Sequence, residues 1–100
     1  FSICCTNNPA RESTTFIISH DRSGAELGVI IDVFDVSGRL LWRHEESGVS
    51  DTGTYTVPWD LTIDGGSRLQ TGVYLYRVHL TSEGATRISK AKKLIVVGNN

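Results

Sequence analysis

The chain predicts an all-β fold, an antiparallel immunoglobulin-like β-sandwich of six or seven strands, on three observations. Residues 72–80, Gly72-Val73-Tyr74-Leu75-Tyr76-Arg77-Val78-His79-Leu80, put Tyr74, Tyr76, Val78 and Leu80 on one face of an extended strand and Val73, Leu75, Arg77 and His79 on the other. That period of two marks a sheet strand with one core face. Shorter β-branched and aromatic stretches repeat the alternation, separated by clusters of Gly, Asp, Ser and Asn, and no stretch carries a helical period.

Taken in order, residues 1–13 are polar and irregular, with Thr6-Asn7-Asn8-Pro9 as a turn signal, and read as a linker from an upstream domain. The sandwich is expected over residues 14–98. Residues 14–20 form the first strand, with Phe16 and Ile18 alternating against Ile17 and Ser19, and Asp21-Arg22-Ser23-Gly24 turns the chain. Leu27, Val29, Ile31 and Val33 give the next strand its buried face. The turn at Ser37-Gly38 sets residues 39–44 at hairpin distance, so these two strands pair. Residues 45–53, rich in Glu, Ser, Gly and Asp, read as a solvated loop. Tyr55, Val57 and Trp59 share one face of the following strand, and Pro58 places that strand at a sheet edge. A second loop, residues 60–71, leads to Gly72, and the pair Glu83-Gly84 folds residues 85–97 back as a single last strand.

The 100 residues suffice for one domain, and the formal net charge of -1 gives no pull toward nucleic acid or an anionic membrane. The longest apolar run, residues 94–97, is far short of the roughly 20 residues of a membrane helix. The chain starts at Phe1 without Met or a secretory signal and reads as a piece of a longer protein.

Chemistry is sought in four places. Adjacent Cys4 and Cys5 cannot staple the sandwich, and a zinc site would need two further ligands. The stretch Asp60-Leu61-Thr62-Ile63-Asp64-Gly65 mimics the start of a calcium loop, but its third position is Thr62 and its twelfth is Thr71. A turn whose aspartates bond local backbone amides is the competing reading. His20, His44 and His79 lie on separate segments without a nucleophile or orienting partner at matching spacing. No catalytic residue, metal ligand or cofactor site is therefore expected, and the fragment is read as lacking enzymatic activity. Finally, Arg87, Lys90, Lys92 and Lys93 place four of the ten basic residues in the last strand, before Leu94-Ile95-Val96-Val97. This pattern has two readings: lysines that protect an exposed edge, or a recognition strip for a partner.

The run Asn8-Pro9, Phe16, Ile31-Asp32-Val33-Phe34-Asp35-Val36-Ser37-Gly38-Arg39-Leu40, Trp59-Asp60, Gly72-Val73-Tyr74-Leu75-Tyr76-Arg77-Val78 and Lys92-Lys93-Leu94-Ile95-Val96-Val97 resembles, in that order, the C-terminal sorting domains of type IX secretion cargo. Those domains are similar to the immunoglobulin-like module of the flagellar hook-cap protein. Residues 15–27, with Phe16, His20-Asp21-Arg22, Gly24 and Leu27, look more specifically like the domain carried by the gingipain-like cysteine peptidase that serves that system as its sortase. The usual Tyr-Pro-Asn-Pro entry is here Thr6-Asn7-Asn8-Pro9. The resemblance implies a non-catalytic domain that carries its parent across the outer membrane to the cell surface and is bound by the outer-membrane barrel protein PorV and the attachment complex. It places recognition in residues 72–97, above all in Lys90, Lys92, Lys93, Leu94, Ile95, Val96 and Val97, and puts any peptidase residues upstream. The alternative is a structural or ligand-binding sandwich packed on an upstream peptidase domain.

Overall fold

The computed structural model describes residues 1–98, which form eight strands and no helix. β1 (Ser2–Cys5), β2 (Thr14–Ser19) and β5 (Thr54–Trp59) make one sheet in the order β1-β2-β5. β3 (Glu26–Asp35), β4 (Leu40–Val49), β6 (Gly72–Ser82), β7 (Ala85–Ile88) and β8 (Lys92–Val96) make the other, with β4-β3-β6 in line and β7 and β8 both pairing with β6. Every strand pair is antiparallel.

The expected alternation sets the core. Leu27, Val29, Ile31 and Val33 of β3 and Tyr76, Val78 and Leu80 of β6 bury against Phe16, Ile18, Val57 and Trp59 of the facing sheet. Phe16 lies at the centre, its ring 5.4 Å from Tyr76 and 5.7 Å from Trp59. β5, with its Pro58, is indeed an edge strand. On the β4/β5 side the sandwich is shut: Trp42 stacks on Trp59 at 4.4 Å, and the Tyr55 hydroxyl donates to Glu46 Oε1 at 2.9 Å. Burial first, and then the bond to the Glu46 carboxylate, push the Tyr55 hydroxyl up to about 12.

Eight strands replace the expected six or seven because two segments each add a strand, while a third boundary differs without adding one. Residues 2–5, expected within a linker, pair with β2 as β1, and Ile3, opposite Ile18, is buried in the core. Two inward residues, Ile3 and Cys5, make too short a pattern to announce a strand. Residues 45–49, expected in a loop, continue β4 alongside residues 26–30 of β3. Their backbone pairs there because β3 would otherwise leave donors and acceptors unmatched along half its length. Gly48 suits that stretch, since a Cβ there would come 3.2 Å from the Tyr55 hydroxyl oxygen. The single last strand is two, β7 and β8.

Candidate interaction surface

β6 is longer than either of its outer partners, and the two share its edge end to end. Glu83 and Gly84, with φ of 54° and 79°, make the two-residue turn that folds β7 onto it. Ile88 pairs with His79, whereas Lys92 pairs with Tyr76, so four steps along the outer chain match three along β6. That extra residue is a bulge. Ser89 bridges it: its N–H donates to the Val78 carbonyl, and its Oγ accepts the Val78 N–H, both at 2.9 Å. A one-residue shift exchanges the faces of a strand. Here it turns Leu94 and Val96 inward, opposite Tyr74 and Gly72, where they join the core.

The bulge therefore sorts the residues expected to meet a partner. Lys90 is exposed within it. Lys93 and Ile95 are exposed on the outer face of β8, opposite Leu75 and Val73. Val73 and Ile95 together form an exposed apolar pair beside the Lys93 ammonium. Leu94 and Val96 are buried and closed to a partner while the domain stays folded. Lys92 reaches across to the other sheet, its Nζ donating to the Ile3 carbonyl at 2.6 Å. Val97 lies just past β8 and donates its N–H to the Ala10 carbonyl at 2.9 Å.

That last bond belongs to a strap. Asn8 Oδ1 accepts the Ile95 N–H at 2.9 Å, and Asn8 Nδ2 donates to the Lys93 carbonyl at 2.9 Å. The Ala10 N–H donates to the Ile95 carbonyl at 2.7 Å. Asn8 and Ala10 thus satisfy the outward backbone groups of β8, and the Asn8-Pro9 peptide within the strap is cis. The sequence marks Asn8-Pro9 as a turn and as the entry motif of the resemblance; the 85 or more residues separating it from its partners hid the contact.

A second constellation on the same outer face escaped the sequence reading. Asp32 of β3 is fully buried, flanked in register by Arg43 of β4 and Arg77 of β6. Arg43 grips it with two bonds, Nε to Oδ1 at 2.6 Å and Nη2 to Oδ2 at 3.0 Å. Arg77 Nε and His79 Nε2 lie 3.4 Å and 3.0 Å from Oδ2, and the Arg77 guanidinium also rests over the Phe34 ring. Burial alone would raise the Asp32 carboxyl, but its bonds to Arg43, His79 and Arg77 outweigh it and hold the group below the ordinary carboxylate range. The cluster clamps the middle strands together, and its charge faces outward through half-exposed guanidinium groups.

No family model and no curated protein sequence matches the chain. Among solved structures, dimeric latent PorU from Porphyromonas gingivalis matches 97% of the chain with a TM-score of 0.86 and 38% identity. The chain belongs to the family of that PorU segment. It spans 9% of the PorU chain. PorZ, an essential surface component of the type IX secretion system of the same organism, matches 95% of the chain at a TM-score of 0.55 and 22% identity, a likeness of fold, over 11% of its own length.

The other candidate groups of this PorU-family domain lie apart. Cys4 and Cys5 are both free, and as strand neighbours they point to opposite faces, Cys4 to solvent and Cys5 toward Tyr76 and Thr14. Burial pushes the Cys5 thiol up, and the neighbouring Tyr76 and Thr14 side chains offset it only in part. Asp60 Oδ1 accepts the Thr62 N–H at 3.0 Å, the local turn that competed with a calcium loop, and Asp64 Oδ2 accepts the Arg43 N–H at 3.3 Å. His20 Nδ1 accepts the Arg22 N–H, His44 stacks on Trp42 beside Glu46, and His79 sits on Asp32. Among the described residues no three such side chains converge as a metal site.

Proposed function

We propose that this domain is a non-catalytic interaction module that directs its parent through the type IX secretion system and holds it at the outer-membrane surface by protein–protein contact. The observation that carries the reading is the match to the PorU segment over nearly the whole chain. The parent is then a PorU-like protein, a gingipain-like peptidase acting as sortase, whose reacting groups lie outside these residues. The partner is PorV with the attachment complex. The contact residues are those of Lys90, Lys92, Lys93, Leu94, Ile95, Val96 and Val97 that present side chains outward: Lys90, Lys93 and Ile95, with Val73 beside them. Leu94, Val96 and the Lys92 ammonium contribute by holding that strip flat.

Deleting residues 92–97 would remove two core side chains, so loss of sorting in that truncation would not separate recognition from unfolding. The discriminating variant is Lys93→Glu with Ile95→Glu in the full-length parent, both on the exposed face. Surface display should drop and the protein should accumulate in the periplasm, with the thermal midpoint within a few degrees of wild type. Undiminished display of a folded double variant contradicts the assignment.

A further inference from the structure

The strap ends with β8, and β7 has no such cover. β7 terminates its sheet at that end, and all four of its residues are exposed. β1 terminates the facing sheet on the same side of the sandwich. Between them lies a cleft of about 640 Å³ walled by Phe1 and Ile3 on one side and by Ile88, Arg87 and Lys90 on the other, with Lys92 crossing one end. The lining is mostly apolar and its charges are all positive. Among the described residues no carboxylate lies within ion-pair distance of Arg87 or Lys90.

We infer that this cleft receives an extended, acidic segment of a partner protein as an added strand on β7. The inference rests on the reading of the domain as an interaction module, and it supplies a second contact that adjoins the outer strip of β8 and shares Lys90 with it. An unpaired strand edge offers a row of backbone donors and acceptors that an extended peptide can match. The four residues of β7 span roughly 13 Å, so a segment of about four to six residues fills the edge. The side chains on its inward face would lie against the Phe1–Ile3 wall, and acidic residues beside them would meet Arg87 and Lys90. The same two cations repel basic chains and other copies of this edge, so one pair of charges both admits the right strand and refuses the wrong one.

The test uses the full-length protein bearing this domain and a fluorescent hexapeptide alternating valine and glutamate, followed by anisotropy. Binding should weaken at least about tenfold in the double variant Arg87→Glu with Lys90→Glu. It should weaken comparably when the peptide is N-methylated at alternate residues, which removes its strand donors but not its charge. A valine–lysine hexapeptide should not bind. Arg87→Gln with Lys90→Gln, which removes charge without reversing it, should fall between wild type and the reversal. Absence of binding at millimolar peptide, indifference to the charge reversal, indifference to N-methylation, or equal binding of the lysine peptide would each overturn the inference. Those results leave the sorting role intact if Lys93→Glu with Ile95→Glu still abolishes surface display, so the two failures are distinguishable.

Discussion

β7 and β8 share one edge of one strand, yet they solve the problem of an exposed edge in opposite ways. β8 is roofed by Asn8 and Ala10, which take up its outward backbone groups, and its inward side chains enter the core. β7 is left bare, with every residue exposed and, among the described residues, no carboxylate paired with Arg87 or Lys90 at its end. An edge strand invites unwanted neighbours unless it is covered or charged. Here half of the edge is covered and the other half is charged, and the one-residue bulge at Ser89 is where the solution changes.

The sharpest way to test the contrast is to truncate one apolar residue in each half, the inward Leu94 of β8 and the outward Ile88 of β7, which shares the face of His79. Leu94→Ala removes a fully buried side chain and should cost about 3 kcal/mol, whereas Ile88→Ala, on an exposed strand, should stay within about 0.5 kcal/mol; urea denaturation reads both. Equal effects would mean that β7 is as deeply packed as β8.

Next in size is the clamp beneath both halves. Asp32→Asn should cost roughly 2 kcal/mol at neutral pH, because Arg43 and Arg77 lose their carboxylate. The Asp32 carboxyl is lowered in the folded state, so its contribution is fully present above the ordinary carboxylate range near about 4 and fades as pH falls through the lower folded value. Melting temperature measured from pH 6 down to pH 2 should therefore fall more steeply in the wild type than in Asp32→Asn. Parallel curves would remove Asp32 as an acid-sensitive group.

The strap is worth less. Asn8→Ala deletes two bonds to β8 and should cost about 1–2 kcal/mol. Amide exchange should accelerate at Ile95 and stay unchanged at residues 85–88. Uniform acceleration over both strands would erase the distinction between them. Smallest is Lys92→Met, which gives up the bond to the Ile3 carbonyl for about 0.5–1 kcal/mol and should loosen β1 before β8, again read by exchange at individual amides.

The sequence made the body of the sandwich legible wherever alternation ran long enough. The two faces of β6, the buried odd residues of β3, the edge position marked by Pro58 and the Glu83-Gly84 turn all follow from side-chain period and turn chemistry. The ordered motifs from Asn8-Pro9 to Val97 carry the family resemblance. What escaped depends on register rather than pattern. β1 carries only two inward residues, Ile3 and Cys5, too few for a convincing period. The bulge is a matter of counting residues on two strands at once, which no single segment shows. Asp32, Arg43, Arg77 and His79 come from three strands and meet only because β3 aligns with both neighbours at those positions. For the same reason, the lysine-rich tail left edge protection and recognition open, since without the bulge Lys93 and Leu94 cannot be assigned to opposite faces.

Whether the domain works through the β7–β8 side of the molecule is tested most directly by amide hydrogen exchange of the full-length protein alone and with PorV, the partner proposed above. New protection confined to residues 73–75 and 85–97, with the β4 and β5 amides unchanged, is the predicted result. Protection centred on β4 and β5, or none in residues 85–97 when the complex is saturated, would contradict it.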